Sequence, residues 1–380
     1  MTRSLSLLGL TFVLAAAGPA TAQPRQGPQS YISPEVKDKT VTFRLRAPKA
    51  EKVGLSSSDI PGGGQGSRAM KKGEGDLWEL TLDVSPGTYR YRIEVDGVPV
   101  VDPRNPSTSE SFGNTWSLVR VPGAAFMDTA DVPHGAVARV IYHSKTTGGN
   151  RRAHVYTPPG YETATEKYPV LYLLHGAGDC DDSWTSVGRS ADILDNLIAA
   201  KMAVPMIVVM PAGHDSKFAG FGRPTGNTTP AALFEDDFAK DLRPHIEKTY
   251  RVKTGRADRA IAGLSMGGGQ TLSVFLANPN DYSAVGVFSS GIFAGRTPED
   301  WERWEKANKE KLTAVVAAKD GLKVFWLATG KEDFLLDTTK KTVALFEKHK
   351  LKPEFQETEG GHTWICWQRY LNEFVPKLFQ

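Results

Sequence analysis

Gly263-Leu264-Ser265-Met266-Gly267 sets a serine between two glycines at G-x-S-x-G spacing. A serine hydroxyl attacks a carbonyl carbon only when a base takes its proton. This spacing is the one that holds such a serine on a sharp strand-to-helix turn, and the neighbouring residues suit that turn. Residues 259–262 read as a short strand and 270–277 as helix. Glycine on either side permits a backbone bend that side chains would obstruct. A serine that merely capped a helix would leave both glycines without a reason. Ser265 is therefore the candidate nucleophile.

Histidine is the base suited to neutral pH. Of eight histidines, only His349 and His362 follow Ser265. On a fold with such an elbow, the acid and then the histidine follow the nucleophile in the chain. His349 lies in the charged run Glu347-Lys348-His349-Lys350, which reads as solvated helix surface. His362 lies in Glu359-Gly360-Gly361-His362-Thr363-Trp364, a loop after an expected strand at 354–358, and is the candidate base. An acid must orient the imidazole. The expected strand 324–328 runs into Lys331-Glu332-Asp333, which leaves both Glu332 and Asp333 as candidates. The developing oxyanion needs N–H donors. One is the N–H of Met266, directly after the nucleophile. The second is expected from His175-Gly176-Ala177-Gly178, at Gly176 or Ala177, with His175 holding the loop.

These residues must be carried by a sheet. Short apolar runs at 170–174, 206–210, 259–262, 284–288 and 324–328 have the composition of strands covered on both faces. Helical stretches are expected at about 190–200, 234–249, 266–277 and 338–349, and strand–helix alternation implies a mostly parallel sheet flanked by helices. An opening strand pair is read at 139–142 and 153–157. The front of the chain differs. Val41, Phe43 and Leu45 alternate with polar residues, as do Trp78, Leu80 and Leu82, and Tyr89, Tyr91, Ile93 and Val95. Period-two alternation marks half-buried strands. Pro61-Gly62-Gly63-Gly64, Pro86-Gly87 and Asp96-Gly97 supply turns between them. The fold class is thus α/β, an α/β-hydrolase domain at 138–380 behind a β-sandwich at 36–121, with a linker at 122–137.

Residues 1–22 have the three parts of an export signal: Thr2-Arg3, the apolar stretch 5–17, and Ala20-Thr21-Ala22 before a mature terminus at Gln23. Residues 23–35 read as a flexible lead-in, and a secreted or periplasmic location without a membrane anchor is expected. The net charge of +3 over 380 residues, with no basic run, argues against nucleic acid as a partner. No zinc spacing, P-loop or dinucleotide fingerprint occurs, so neither a metal nor a cofactor is expected. Cys180 and Cys366 are the only cysteines. Each lies near a candidate catalytic loop, and a disulfide between them is expected if those loops converge, two reduced thiols otherwise. Trp184, Phe293 and Trp364 are candidates for an aromatic substrate wall, because pockets are lined with apolar side chains. Trp78 and Trp116 are read as packing residues rather than sugar platforms.

Val155-Tyr156-Thr157-Pro158-Pro159-Gly160-Tyr161, the run from Tyr168 to Gly176, Gly263-Leu264-Ser265-Met266-Gly267-Gly268 and Gly361-His362-Thr363-Trp364 together resemble carbohydrate esterase family 1. These are the feruloyl and acetyl-xylan esterases among the esterase D-like α/β-hydrolases. The resemblance implies Ser265 as nucleophile, His362 as base and Asp333 as acid. It also implies acylated polysaccharide as substrate. The stretch from Tyr89 to Gly97 followed by Asp102-Pro103-Arg104-Asn105 resembles an early-set β-sandwich of the glycogen-binding-module type, which implies carbohydrate binding. Enterochelin esterases share a similar two-domain plan and give a competing reading, for which Arg189 and Arg223 would be the cations. A secreted glycan-binding protein with a silent hydrolase domain is the reading from outside the enzymes. Oligomeric state is not legible.

Overall fold

Parallel strands buried on both faces need helices to cover them, and the chain supplies both in alternation. The computed structural model describes residues 30–61, 66–214 and 230–380. The expected leader, most of the lead-in, the Gly62–Gly64 turn and Arg223 lie outside the described residues.

Strands β1 (Ala136–Ser144), β2 (Gly149–Thr157), β3 (Val170–Leu174), β4 (Ile207–Pro211), β5 (Arg259–Leu264), β6 (Ala284–Phe288), β7 (Val324–Gly330) and β8 (Glu354–Thr358) form one sheet. Their order is β1-β2-β4-β3-β5-β6-β7-β8. β2 runs antiparallel to both β1 and β4, and every pairing from β4 onward is parallel. The helices are α1 (Ser190–Ala199), α2 (Pro230–Asp237), α3 (Arg243–Thr249), α4 (Met266–Ala277), α5 (Pro298–Ala307), α6 (Lys309–Ala317), α7 (Leu336–Lys348) and α8 (Trp364–Phe374). A π-helical stretch, Phe238–Leu242, joins α2 to α3.

Alternation along β3 shows how the layers form. Val170, Tyr172 and Leu174 enter a core cluster with Phe238, Ile246, Phe275 and Phe346. Leu171 and Leu173 point the other way, into a cluster with Ile193, Leu194, Tyr370 and Leu371. All five residues are completely buried, so the four aliphatic ones each contribute roughly 1.5–3 kcal/mol of apolar burial.

The front of the chain holds two smaller sheets. One orders Glu35–Lys37, Thr40–Arg46, Leu77–Asp83 and Lys71–Lys72. The other is built around Gly87–Val95 and Asn114–Val121. Their inward residues, among them Val41, Phe43, Tyr89, Tyr91 and Ile93, form a separate core, as the period-two pattern requires. Trp78 donates its indole N–H to Ala47 O at 3.0 Å, and Trp116 stacks under the Arg92 guanidinium at 3.5 Å, so both are engaged in packing.

Two expectations need correction. β1 starts at Ala136, inside the stretch read as linker, and the remainder of that stretch is packed rather than loose. Met127 is buried, and Asn196 of α1 donates to the carbonyls of Ala125, Phe126 and Asp128. The opening hairpin is also longer than 139–142 and 153–157. At its turn end it adds His143 and Ser144, paired with Asn150 and Gly149, which carry no hydrophobic signal, and at its open end it adds Ala136, Val137 and Ala138.

The front sheets and the main sheet are joined by ions. Arg152 of β2 bridges Glu110 at 2.6 Å and Asp181 at 2.7 Å, and His154 Nδ1 lies 2.8 Å from the same Asp181. Burial alone would raise the pKa of Asp181. The bonds from His154 and Arg152 outweigh it and lower the value. The folded carboxyl therefore titrates below its unfolded counterpart. Its stabilisation is present above about pH 4 and is lost as pH falls through the lower folded value. Asp181→Asn should cost about 1–3 kcal/mol at neutral pH, and its deficit against the wild type should narrow below about pH 4. Thermal unfolding across pH 3–7 checks this, and a deficit that stays constant with pH would contradict it.

Candidate active site

Ser265 stands between β5 and α4 with φ 51° and ψ −119°. A left-handed φ at a non-glycine residue costs about 1–3 kcal/mol and persists only where packing enforces it. The enforcement is visible. A Cβ on Gly263 would sit 2.3 Å from Gly267 O, and one on Gly267 would sit 2.5 Å from His175 O. Backbone therefore occupies the space on both sides of the elbow. The Ser265 N–H donates to Phe288 O at 2.9 Å, and Ser290 Oγ donates to Ser265 O at 2.5 Å.

The three candidate groups meet. His362 Nε2 lies 2.9 Å from Ser265 Oγ, and its Nδ1 lies 3.0 and 2.9 Å from the two carboxylate oxygens of Asp333. The Asp333 side chain is wholly covered, and that of His362 is 18% exposed. Burial pushes the Asp333 pKa up, but the His362 hydrogen bond and charge, with help from the Leu335 N–H at 2.8 Å, bring it below the usual aspartate range. An ionised acid at Nδ1 leaves Nε2 free to take the serine proton.

Of the two candidate acids, Asp333 faces the imidazole. Glu332 instead accepts from Gly360 N at 2.7 Å and fixes the histidine loop. His349 lies elsewhere, 2.9 Å from Glu305.

Two aromatic rings that sequence reading did not single out flank His362. Trp367 meets it edge-on at 5.0 Å, and Phe334 lies against it at 4.4 Å. Phe334 is 75% exposed, although it adjoins the acid. That exposure of a large apolar side chain is a signal only the fold reveals.

Met266 opens α4, so its N–H is one of those that no preceding carbonyl of the helix can accept. Gly176 lies beside it: a Cβ there would stand 3.4 Å from Ser265 Cβ and 2.7 Å from Leu264. The loop is held by His175. Its Nδ1 lies 2.8 Å from Gly176 O, and its Nε2 accepts from Gly213 N at 2.8 Å. Burial lowers its pKa, so the ring is a neutral brace. Gln270 completes the support by donating to Gly213 O at 2.9 Å.

Three expectations fail here. Trp184 and Trp364 do not wall a pocket. They are 1% and 2% exposed, stack edge-to-face at 5.1 Å, and Trp184 donates its indole N–H to Leu174 O. Of the three aromatic candidates only Phe293 reaches the surface, at 56% exposure, over Gly269 in the first turn of α4. The expected disulfide is absent, because the thiols face different surroundings. Cys180 lines a cleft of ≈ 450 Å³ with Phe112, Arg152, Asp181 and His214. Cys366 is tucked beneath the histidine loop, 3.7 Å from Thr363 Oγ1. Burial pushes the Cys180 thiol up to about 11 and raises that of Cys366, so neither is activated. Arg189, a candidate cation for an anionic substrate, is engaged by Asp192 at 2.8 Å and Thr129 Oγ1 at 2.9 Å. Among the described residues no group of three His, Cys, Asp or Glu side chains is placed to hold a metal ion.

Residues 144–378 match the family model described as "Putative esterase". Over 352 residues the chain is 31% identical to the endo-1,4-beta-xylanase/feruloyl esterase of Xylanibacter ruminicola, covering 89% of this chain and 44% of that protein. The chain spans less than half the length of the curated relatives it matches first. Among solved structures, a ferulic acid esterase superimposes with a TM-score of 0.55 at 28% identity, covering 64% of this chain and 97% of that one. The enterochelin esterase of Shigella flexneri superimposes with a TM-score of 0.64 at 18% identity, covering 91% and 94%, a likeness of fold.

The tight elbow yields a stability prediction. Gly267→Ala forces a methyl group against fixed backbone and should destabilise the protein by about 1–3 kcal/mol or more. Gly149→Ala, which adds a methyl group in open space, should stay within about 0.5 kcal/mol of wild type. Urea unfolding of both variants checks the contrast, and equal midpoints would contradict it.

Proposed function

The chain belongs to the esterase family whose pattern its residues 144–378 match, and on that footing we propose that it is a serine carboxylesterase acting on feruloyl or acetyl esters of plant cell-wall polysaccharide. The observation that carries the reading is the unbroken hydrogen-bonded path from Asp333 through His362 to Ser265. Ser265 Oγ attacks the ester carbonyl carbon while His362 Nε2 takes its proton. The carbonyl oxygen, now negative, is stabilised by the N–H of Met266 and by an amide of Gly176 or Ala177. Collapse breaks the bond to the alcohol, whose oxygen receives the proton from His362. Water, deprotonated by the same ring, then releases the acid and restores the serine.

The choice of substrate rests on the names of relatives: the xylanase/feruloyl esterase above, and an acetyl esterase of Caldicellulosiruptor saccharolyticus at 24% identity. A catecholate siderophore ester is the second reading, favoured by the fold likeness that extends over 91% of this chain. Action on polysaccharide fits export, which the leader pattern in residues 1–22 supports. N-terminal sequencing of protein recovered from outside the cytoplasm should begin at Gln23, and recovery of unprocessed cytoplasmic protein would contradict export.

Rates on methyl ferulate, acetylated xylan and a catecholate ester test the substrate. Turnover of one of the first two is expected, and cleavage of the catecholate alone would transfer the assignment to the second reading. Folded protein that turns over none of them would favour the silent glycan-binding reading. Ser265→Ala should lower kcat on the order of 10⁴-fold or more. Asp333→Asn should lower it about 10³- to 10⁴-fold, whereas Glu332→Gln should stay within about tenfold, because a glutamine oxygen can still accept from Gly360. Equal losses in the two acid variants would contradict the assignment of Asp333.

A further inference from the structure

The loop that carries Gly176 and Ala177 is anchored by a residue of the front β-sheets. Arg90, in the strand Gly87–Val95, is 5% exposed. Its Nη1 donates to Asp179 Oδ1 at 2.5 Å. Its Nε and Nη2 donate to Ser109 Oγ at 3.0 and 2.8 Å, and Nη2 also reaches Ser183 Oγ at 2.8 Å and Glu110 O at 2.9 Å. Asp179 in turn closes the loop. Its N–H donates to Gly176 O at 3.1 Å, and its Oδ2 lies 3.2 Å from where a Gly176 Cβ would stand. The guanidinium also lies 5.5 Å from the ring centroid of Trp364, two residues beyond His362. One planar cation thus touches the turn beside the nucleophile and the start of the helix that follows the base.

A buried arginine is costly unless its nitrogens find acceptors, and here Ser109, Glu110, Ser183 and Asp179 give each of the three nitrogens at least one, from both sides of the junction. Apolar packing would join the sheets at lower desolvation cost. What a rigid fork adds is direction: it fixes the Asp179 carboxylate, and through it the Gly176 turn, in a single orientation. We infer that Arg90 is a positioning residue, whose ion pair with Asp179 holds the Gly176–Ala177 amides where the oxyanion forms, so that the front β-sheets are part of the catalytic unit. The inference rests on the serine-esterase reading for its kinetic consequence but not for its structural one.

The test combines Arg90→Gln, the near-isosteric Asp179→Asn and the double variant, each read by amide hydrogen exchange over residues 174–180 and by steady-state kinetics on methyl ferulate. Thermal unfolding first identifies a temperature at which each is folded, and Asp179→Asn carries the test should Arg90→Gln fail to fold. Faster exchange is expected at 174–180 with the elbow at 263–268 unchanged. The expected fall in kcat is about 10- to 100-fold, the scale of a misplaced reacting group, with KM within about threefold because ground-state contacts are intact. The double variant should lose no more than the worse single variant, as for two members of one unit. Wild-type protection at 174–180 in both single variants, or loosened exchange with unchanged kcat, would overturn the inference. A wild type that loosens on mutation as described yet turns over no ester would sink the esterase reading and leave the structural anchor standing.

Discussion

A single imidazole spans the gap between a fully covered carboxylate and a strained serine, and the placement of three loops follows from that span. Ser265, Asp333 and His362 leave the sheet at the ends of β5, β7 and β8, strands that are parallel and so end on one edge. The register Gly330↔Thr358 sets the acid loop beside the histidine loop. Main-chain bonds lock them together, Lys331 N to Thr358 O at 2.8 Å and Glu332 N to Gly360 O at 3.1 Å. Gly330 is required there because Gly360 O lies 1.9 Å from where its Cβ would be. The sheet therefore brings the groups near one another, and the loop bonds finish the alignment to hydrogen-bond distance.

Strain and support are distributed unevenly around that edge. The elbow is enforced by backbone packed on backbone, which cannot yield. The Gly176 turn is instead enforced by polar side chains: a neutral His175, Gln270 through Gly213, and Asp179. Polar bracing of this kind is directional and fully effective only when every partner is present. This explains why so many buried polar residues gather behind a short glycine-containing loop, in a region where an apolar core would otherwise be the simpler solution.

Much of this was legible in the residues. The glycines around Ser265, the chain order of the candidate groups and the apolar runs of β3 to β7 each reflect a local constraint: turn sterics, topology, or burial on both faces. What was missed is one local pattern and several non-local ones. α5 carries a capping box, with Thr297 accepting from Asp300 N and Asp300 accepting from Thr297 N, a pattern present in Thr297-Pro298-Glu299-Asp300 but unread. α8 begins at Trp364, directly after the histidine loop, and Trp364 reads as part of a binding wall when it is core. Spacing alone cannot tell a tryptophan facing substrate from one facing Trp184. Equally, nearness of Cys180 and Cys366 to two converging loops said nothing about the directions of their side chains, which decide whether a disulfide can form. The choice between Glu332 and Asp333 likewise depended on which carboxylate turns toward the ring, a matter of one backbone step.

The most direct test of the account is a crystal structure of the protein after reaction with a fluorophosphonate ester, whose tetrahedral phosphorus stands in for the carbon under attack. The account predicts phosphorus bonded to Ser265 Oγ, the phosphoryl oxygen accepting from the N–H of Met266 and an amide at Gly176 or Ala177, and the His362 ring still bonded to Asp333. An unmodified Ser265 in folded, reagent-treated protein, or an adduct whose phosphoryl oxygen points away from those amides, would contradict it.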